Sequence, residues 1–306
     1  MSDNINIKKV DFTATFETLG TLLFWTLGPI FITYLSSDID SYTQNFLRYL
    51  TACLFLIPFL LFSIRKNNFD KSIWIKALFP AAANLTMQSL YAKGFYYLSP
   101  GFLILLLKLN IVWTAIFSLI FFHDEKPLAK SKRFWLGMIL SAIGVFGVMY
   151  FKKGFAETKT ITGIIIAIGA GLAFAAYAIS ARIAFRKTDS IQAFTVTSIY
   201  TTIGLAILAF SLGNIKASGM LNTWQWVCIV FSGITGIAFG HPLYYAAMKR
   251  IGATIPSLIL LAQPFTVLAM SYVIFKETMN ISQLFSGIVL LSGSAIAIWA
   301  QQHIKK

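Results

Sequence analysis

The sequence predicts an all-α membrane protein in which ten transmembrane helices form two inverted five-helix repeats. Three observations support this fold class. Hydrophobic residues make up 57% of the chain and charged residues 12%, about half the roughly 25% charge of a soluble domain. Apolar segments of about 20 residues, the length that crosses a bilayer, recur along the chain. Two distant stretches also share one pattern, so the second half repeats the first.

The repeated pattern covers residues 91–148 and 245–298. In each copy an apolar helix ends at a Gly-, Pro- or Ser-containing break and a long apolar helix follows. A short charged turn then carries Glu125 or Glu277, and a Gly-rich apolar helix closes the unit. A repeat of this length is too long for a solenoid unit. It indicates a duplicated membrane half, with one repeat at residues 15–151 and the other at residues 160–301.

Helices are the expected spanning elements, because backbone groups in hydrocarbon need internal partners and nothing in the chain alternates like a barrel strand. Each half then contains five spans, an odd number, so the second half enters the membrane upside down relative to the first. The ten predicted spans are Thr15–Leu35, Tyr42–Ser63, Ile73–Tyr96, Leu98–Phe121, Arg133–Phe151, Thr160–Ala184, Ile191–Leu212, Thr223–Ala247, Gly252–Phe275 and Ile281–Gln301.

The distribution of Lys and Arg predicts the orientation. With the N-terminus inside, most of these residues fall in cytoplasmic segments, as the positive-inside rule requires. The loop that carries Lys152, Lys153 and Lys159 is an exception. We therefore expect a protein of the plasma (inner) membrane with both termini cytoplasmic. Because the cations are spread over separate short loops, the net charge of +14 reflects topology and not nucleic-acid binding.

Several motifs give the chain a family resemblance. They are FWTLGP (Phe24–Pro29), NFLRYL (Asn45–Leu50) and the long stretch Arg250–Gly293. With these motifs the chain resembles the drug/metabolite transporter superfamily, in its ten-helix EamA-type branch. The resemblance implies a secondary transporter whose cavity is faced by helices one, three, four, six, eight and nine. The first half departs from the second in having Lys108 and Asn110 where the second half has Ala262 and Pro264.

Lys108 lies near the centre of the fourth predicted span. A cation at that depth costs at least about 2.5–3.5 kcal/mol, and an interface roughly 15 Å away is too far for the side chain to snorkel. Lys108 must therefore face water or a polar partner. Two interpretations are open. The side chain binds a carboxylate or phosphate of the substrate, or it donates hydrogen bonds to carbonyls and polar groups of neighbouring helices.

The acidic residues favour an anionic or zwitterionic substrate. Only Glu17 lies within a predicted span, near its cytoplasmic end, where the helix dipole favours a carboxylate. Two alternatives remain open: an organic-cation or drug exporter coupled through Glu17, and a lipid-headgroup carrier. Arg48, about two turns into helix two, is interpreted mainly as a structural residue near Asp38 or Asp40 on the same side of the membrane, with substrate contact as the lesser alternative.

Polar and aromatic residues at helical spacing outline a candidate substrate site. Each also has a simpler role as interhelical glue or packing. No catalytic, metal or cofactor site is predicted, because the spans lack the carboxylate and His clusters that such chemistry needs. The expected partners are a small-molecule substrate and the lipid bilayer, with a homodimer as an open alternative. The candidate substrate-binding residues are Lys108, Trp25, Asn84, Gln88, Tyr91, Tyr177, His241, Tyr244 and Gln263.

Overall fold

The computed structural model describes residues 11–153, 157–251, 256 and 259–304. Within these ranges all regular secondary structure is helical, which confirms the predicted all-α membrane fold. The first half contains α1 Phe12–Leu35, α2 Ser41–Arg65, α3 Ile73–Lys76, α4 Leu78–Gly94, α5 Pro100–Leu107, α6 Asn110–Phe121 and α7 Lys132–Tyr150. The second half contains α8 Thr158–Ala184, α9 Ser190–Leu212, α10 Thr223–Ser232, α11 Gly240–Ile251, α12 Gln263–Phe275 and α13 Ile281–Ile304.

Eight helical segments in the described residues are long and apolar enough to cross a membrane. They correspond to the predicted spans other than the third and the ninth. The third span is divided at Ala77 between the short α3 and the longer α4. The described apolar helix of the ninth is Leu260–Phe275, and residues 252–255 and 257–258 lie outside the described residues. The count of ten therefore stays a prediction.

Polar side chains define where several helices begin. The carboxylates of Asp11, Asp40 and Asp189 accept backbone N–H bonds at the starts of α1, α2 and α9. Asn222 and Gln225 form a reciprocal capping box at the start of α10. These bonds satisfy N–H groups that have no partner within the helix.

The two halves pack mainly against each other. Helix α7 packs along α13, α4 against α8, α2 against α9, α1 against α11, and α5 against α12. The α7–α13 contact is close enough that a Cβ atom added at Gly137 would lie 2.6 Å from the carbonyl oxygen of Gly293. Small residues permit such close helix contacts in membranes. Because each of these pairs joins one helix from each half, the centre of the protein lies between the repeats.

Three helices are interrupted where the halves meet. Lys108 and Leu109 separate α5 from α6, a π-helix at Gly233–Phe239 separates α10 from α11, and a 3₁₀ turn at Leu260–Ala262 precedes α12. Interruptions of this kind free backbone carbonyls inside a membrane protein, where side chains or substrates can bind them. The candidate functional site therefore lies around these three breaks.

Candidate functional site

Lys108 connects two of the interrupted helices. Its side chain is 7% exposed, and Nζ donates to the backbone oxygen of Leu260 at 2.9 Å and to Oε1 of Gln263 at 3.0 Å. Gln263 in turn donates from Nε2 to the backbone oxygen of Trp25 at 3.0 Å. The resulting chain of hydrogen bonds joins the α5–α6 break, the start of α12 and the middle of α1. These contacts match the structural interpretation of Lys108.

Trp25 links α1 to the π-helix. Its indole Nε1 donates to the backbone oxygen of Gly236 at 3.1 Å. Its ring centroid lies 5.1 Å from those of His241 and Tyr244 on α11. The wide turn of a π-helix leaves carbonyl groups less tightly used than in an α-helix, and such turns are frequent at functional sites. Trp25 thus binds a backbone carbonyl group of the π-helix.

An aromatic cluster fills the space beside Trp25. His241 stacks on Phe194 with ring centroids 4.6 Å apart and planes 6° apart. The hydroxyl groups of Tyr177 and Tyr245 hydrogen-bond each other at 2.5 Å. Nδ1 of His241 is buried and has no hydrogen-bond partner among the described residues. The cluster therefore joins α8, α9 and α11 through stacking and one hydroxyl pair.

Asn84 and Gln88 lie on the buried face of α4. Asn84 donates from Nδ2 to the hydroxyl of Tyr49 at 3.1 Å and to Oγ1 of Thr201 at 3.0 Å. At Gln88 the backbone oxygen accepts a bond from Nδ2 of Asn45 at 3.0 Å. These bonds join α2, α4 and α9, as expected of interhelical glue. The structure therefore brings Asn84 to the interface of the halves and Gln88 to the contact between α2 and α4, at contacts different from those of Lys108.

Arg48 is a second cation buried among the membrane helices. Its side chain is 3% exposed, and Nε donates to Oγ of Ser232 at 3.0 Å. The expected location beside Asp38 or Asp40 is wrong, because Asp40 instead caps α2 and accepts a bond from the backbone N–H of Asn214 at 2.8 Å. An arginine two turns inside an apolar segment was the available signal.

Tyr91 lies with Arg48 on the boundary between α1, α2 and α4. A Cβ atom added at Gly28 would lie 3.7 Å from Nη2 of Arg48 and 3.9 Å from the Tyr91 hydroxyl. A Cβ atom added at Gly236 would lie 3.8 Å from the same Nη2. Two glycines from opposite halves thus face one guanidinium group. Tyr91, a residue of the predicted substrate set, therefore lies beside Arg48.

Two carboxylates are held away from this centre. Oε1 of Glu17 lies 3.5 Å from Nε of Arg250, which joins the cytoplasmic end predicted for α1 to the end of α11. Glu277 accepts bonds from the backbone N–H groups of Gly101 at 2.9 Å and Phe102 at 3.1 Å. The hydroxyls of Ser99 and Ser271 complete its set at 2.5 Å each. Glu277 therefore caps α5 of the opposite half, a role that the sequence analysis did not predict.

Comparison with known proteins identifies the family. The profile of the EamA-like transporter family matches residues 14–150 and again residues 161–299. The chain belongs to the EamA-like transporter family. This confirms the resemblance to the drug/metabolite transporter superfamily, and it places the Lys108 and Arg48 contacts at the interface of two family repeats.

Relatives of this EamA-like transporter are named as transporters. The chain is 26% identical over 260 residues to an uncharacterized inner membrane transporter, YhbE, of Escherichia coli strain K12, with 81% of this chain and 77% of that protein covered. It is 23% identical over 180 residues to an uncharacterized transporter of Haemophilus influenzae, with 58% of this chain and 59% of that protein covered. The matched region thus spans about three fifths of the Haemophilus protein.

A solved crystal structure supports the fold independently. It superposes with a TM-score of 0.66 at 14% sequence identity and covers 96% of this chain and 99% of the other. At that identity the likeness concerns the fold alone. The functional argument therefore rests on the family and on the residues of this chain.

Proposed function

We propose that this EamA-like transporter moves a small polar metabolite, anionic or zwitterionic, across the membrane by alternating access. One observation supports the charge preference. Lys108 and Arg48 are buried between the halves, and the described ion pairs, Lys76–Asp70 and Arg250–Glu17, involve neither of them. Buried cations without acidic partners are costly and create a positive potential that attracts an anion.

The proposed pathway runs between the two repeats. Helices α1, α2 and α4 of the first half meet α10, the π-helix and α11 of the second half around Arg48 and Trp25. Tyr177, Tyr244 and His241 provide one wall, and Lys108 with Gln263 holds the break before α12. In transporters with inverted repeats, the substrate site lies at the repeat interface, and rocking of one half opens it to each side in turn.

We place the protein in the plasma (inner) membrane with both termini cytoplasmic. The excess of Lys and Arg in the segments that would then face the cytoplasm supports this orientation. The name of the Escherichia coli relative, an inner membrane transporter, supports the location. A fluorescent protein fused to the C-terminus would fluoresce in the cytoplasm, whereas an active periplasmic phosphatase fusion at the same position would contradict the orientation.

A thermal-unfolding screen of the purified protein in detergent tests the charge preference. The panel contains amino acids, organic acids, sugar phosphates, nucleotides and quaternary amines. We expect anionic or zwitterionic compounds to raise the unfolding temperature, and the same compounds to exchange across proteoliposome membranes in counterflow. Stabilisation by amines alone would contradict the proposal and favour a cation exporter coupled through Glu17.

The same screen addresses the lipid-headgroup alternative. A shallow groove between α5, α12 and α13 is lined by apolar residues that include Leu105, Phe265 and Leu268. The described lining of this groove offers no cation for a headgroup. If anionic phospholipids stabilised the protein and no soluble metabolite did, a lipid carrier would replace the metabolite transporter as the better assignment.

A further inference from the structure

The guanidinium group of Arg48 has fewer partners than its burial requires. An arginine side chain carries five N–H donors, and Nε uses one of them on Ser232. Nη1 is buried and has no hydrogen-bond partner among the described residues. Leaving a buried charged donor without a partner is among the more costly defects of a folded protein. The described chain therefore supplies no acceptor for Nη1 of Arg48.

Two glycines from opposite halves lie beside the guanidinium group. Nη2 faces Gly28 on α1 and Gly236 in the π-helix, and the nearest atoms to a methyl group at these positions would be 3.7 Å and 3.8 Å away. The Tyr91 hydroxyl borders the same side. Backbone of two glycines and one hydroxyl group therefore lie next to the guanidinium group of Arg48.

We propose that Arg48 is the receptor for a carboxylate group of the transported metabolite. This inference rests on the proposed function and names the group that recognises the cargo. With Nε bonded to Ser232, the Nη1 and Nη2 edge offers the two parallel N–H bonds that match a carboxylate. The Tyr91 hydroxyl provides a further donor at the border of the site.

The number of available charges favours a carboxylate over a phosphate dianion. Arg48 supplies one positive charge. Nζ of Lys108 directs two of its three donors to Leu260 and Gln263, at the break before α12. A monocarboxylate is neutralised by one guanidinium group, whereas a dianion would carry an uncompensated charge into a desolvated site. The inferred substrate class is therefore a small metabolite with a single carboxylate at this end.

Both halves contribute to the inferred receptor. Arg48, Gly28 and Tyr91 belong to the first half, and Ser232 and Gly236 belong to the second. The π-helix that carries Gly236 also accepts the bond from Trp25. A carboxylate bound here would contact elements that move relative to each other when the halves rock. Binding at Arg48 would therefore be coupled to the change of access.

Thermal unfolding of Arg48 variants in detergent tests the inference. The probes are monocarboxylic acids of two to six carbons with and without an α-amino group, their primary amides, and inorganic phosphate. We expect the acids to stabilise the wild type and the amides and phosphate to have no effect. Arg48→Gln should weaken the stabilising acids by about thirtyfold or more, the cost of removing one partner of a buried charge pair. Arg48→Lys should restore part of the affinity without the bidentate geometry.

A second variant keeps the test decisive if Arg48→Gln does not fold. Gly236→Ala retains every charge but places a methyl group beside Nη2, and we expect it to weaken binding of the acids at least fivefold. Gly219→Ala is the matched control, because a Cβ atom there meets nothing within 4 Å. Acids that bind Arg48→Gln or Gly236→Ala as tightly as wild type would overturn the inference and leave the proposed function standing.

Two other outcomes separate the inference from the function it rests on. Phosphate that stabilises the wild type as strongly as the acids, and loses its effect in Arg48→Gln, would overturn the choice of a monocarboxylate. Stabilisation by the amides but not the acids would overturn the role of Arg48 together with the anionic preference of the transporter.

Discussion

Lys108 and Arg48 are both cations buried among membrane helices, yet the protein treats them differently. Lys108 donates to two acceptors, one of them a backbone carbonyl freed by a helix break. Arg48 has one neutral acceptor, Ser232, and an Nη1 atom without a partner in the described chain. Burial of a cation alone therefore does not identify a binding site. The distinction lies in whether the protein itself satisfies the charge.

The largest effect should come from removing Lys108. Lys108→Ala leaves Leu260 and Gln263 without their donor, and we expect it to reduce the free energy of unfolding by about 2–3 kcal/mol. Arg48→Gln should not lower the stability of the unliganded protein, because removing a buried charge that has no acidic partner offsets the lost bond to Ser232. The two variants are compared by reversible unfolding of ligand-free protein in the same detergent. If Arg48→Gln proves the more destabilised, the comparison is wrong and Arg48 is the structural cation.

Glu277 allows the same comparison for a negative charge. Glu277 accepts four hydrogen bonds at the start of α5, so it resembles Lys108 in bonding to groups that the protein itself supplies. Glu277→Gln replaces one acceptor oxygen with a donor and should cost about 2 kcal/mol. Glu157→Gln is the control, since Glu157 precedes α8 without a side-chain capping bond. Equal stability of the two variants would contradict the capping role.

Asp40 extends the comparison to a charge at the surface. Burial opposes its ionisation, but N–H groups of Asn214, Thr43 and Tyr42 outweigh that effect and hold the pKa of Asp40 below its ordinary value. Its contribution is therefore complete above the ordinary carboxyl pKa of about 3.9 and is lost as the pH falls through the lower folded value. Asp40→Asn keeps one capping oxygen but replaces the acceptor of the Asn214 N–H with a donor, and it should cost about 1 kcal/mol at neutral pH.

The measurement for Asp40 is unfolding as a function of pH. Between neutral pH and about pH 3, wild type should lose more stability than Asp40→Asn, because the variant has no carboxylate to protonate. Asp38→Asn serves as the control, since exposed Asp38 accepts its bond from the adjacent Ser37. Identical pH profiles for wild type and Asp40→Asn would show that the capping bonds carry no net stability.

The smallest effect concerns the hydroxyl pair of the aromatic cluster. Tyr177→Phe removes the hydrogen bond to Tyr245 but keeps the ring, and interhelical bonds in membrane proteins contribute about 0.6 kcal/mol on average. We expect a loss of that size, with no additional loss in the double variant Tyr177→Phe, Tyr245→Phe. Tyr272→Phe, at a largely exposed position, is the control. Additive losses in the double variant would show that the hydroxyls act independently.

The sequence predicted more of the fold than of the candidate site. Composition, apolar length and the internal repeat are local properties, and they were sufficient for an all-α membrane protein of two repeats. Lys108 could be identified as a buried cation, because its depth in an apolar segment is also local. The acceptors of Lys108 could not be identified in this way, since they lie 152 and 155 residues away in sequence. Arg48 was expected near Asp38 or Asp40 because these acids lie on the same predicted side of the membrane, whereas its partner Ser232 lies 184 residues away.

By itself, the sequence determined that the chain spans a membrane as helices, and the family repeats follow from the same patterns. Tertiary structure alone decided which buried charges are satisfied. Hydrocarbon enforces helical backbone bonding segment by segment, so span and composition are readable without the fold. The pairing of α2 with α9 and α10, and of the Lys108 break with α12, depends on how the two halves pack. That packing leaves Nη1 of Arg48 without an acceptor in the described chain and gives Nζ of Lys108 two acceptors.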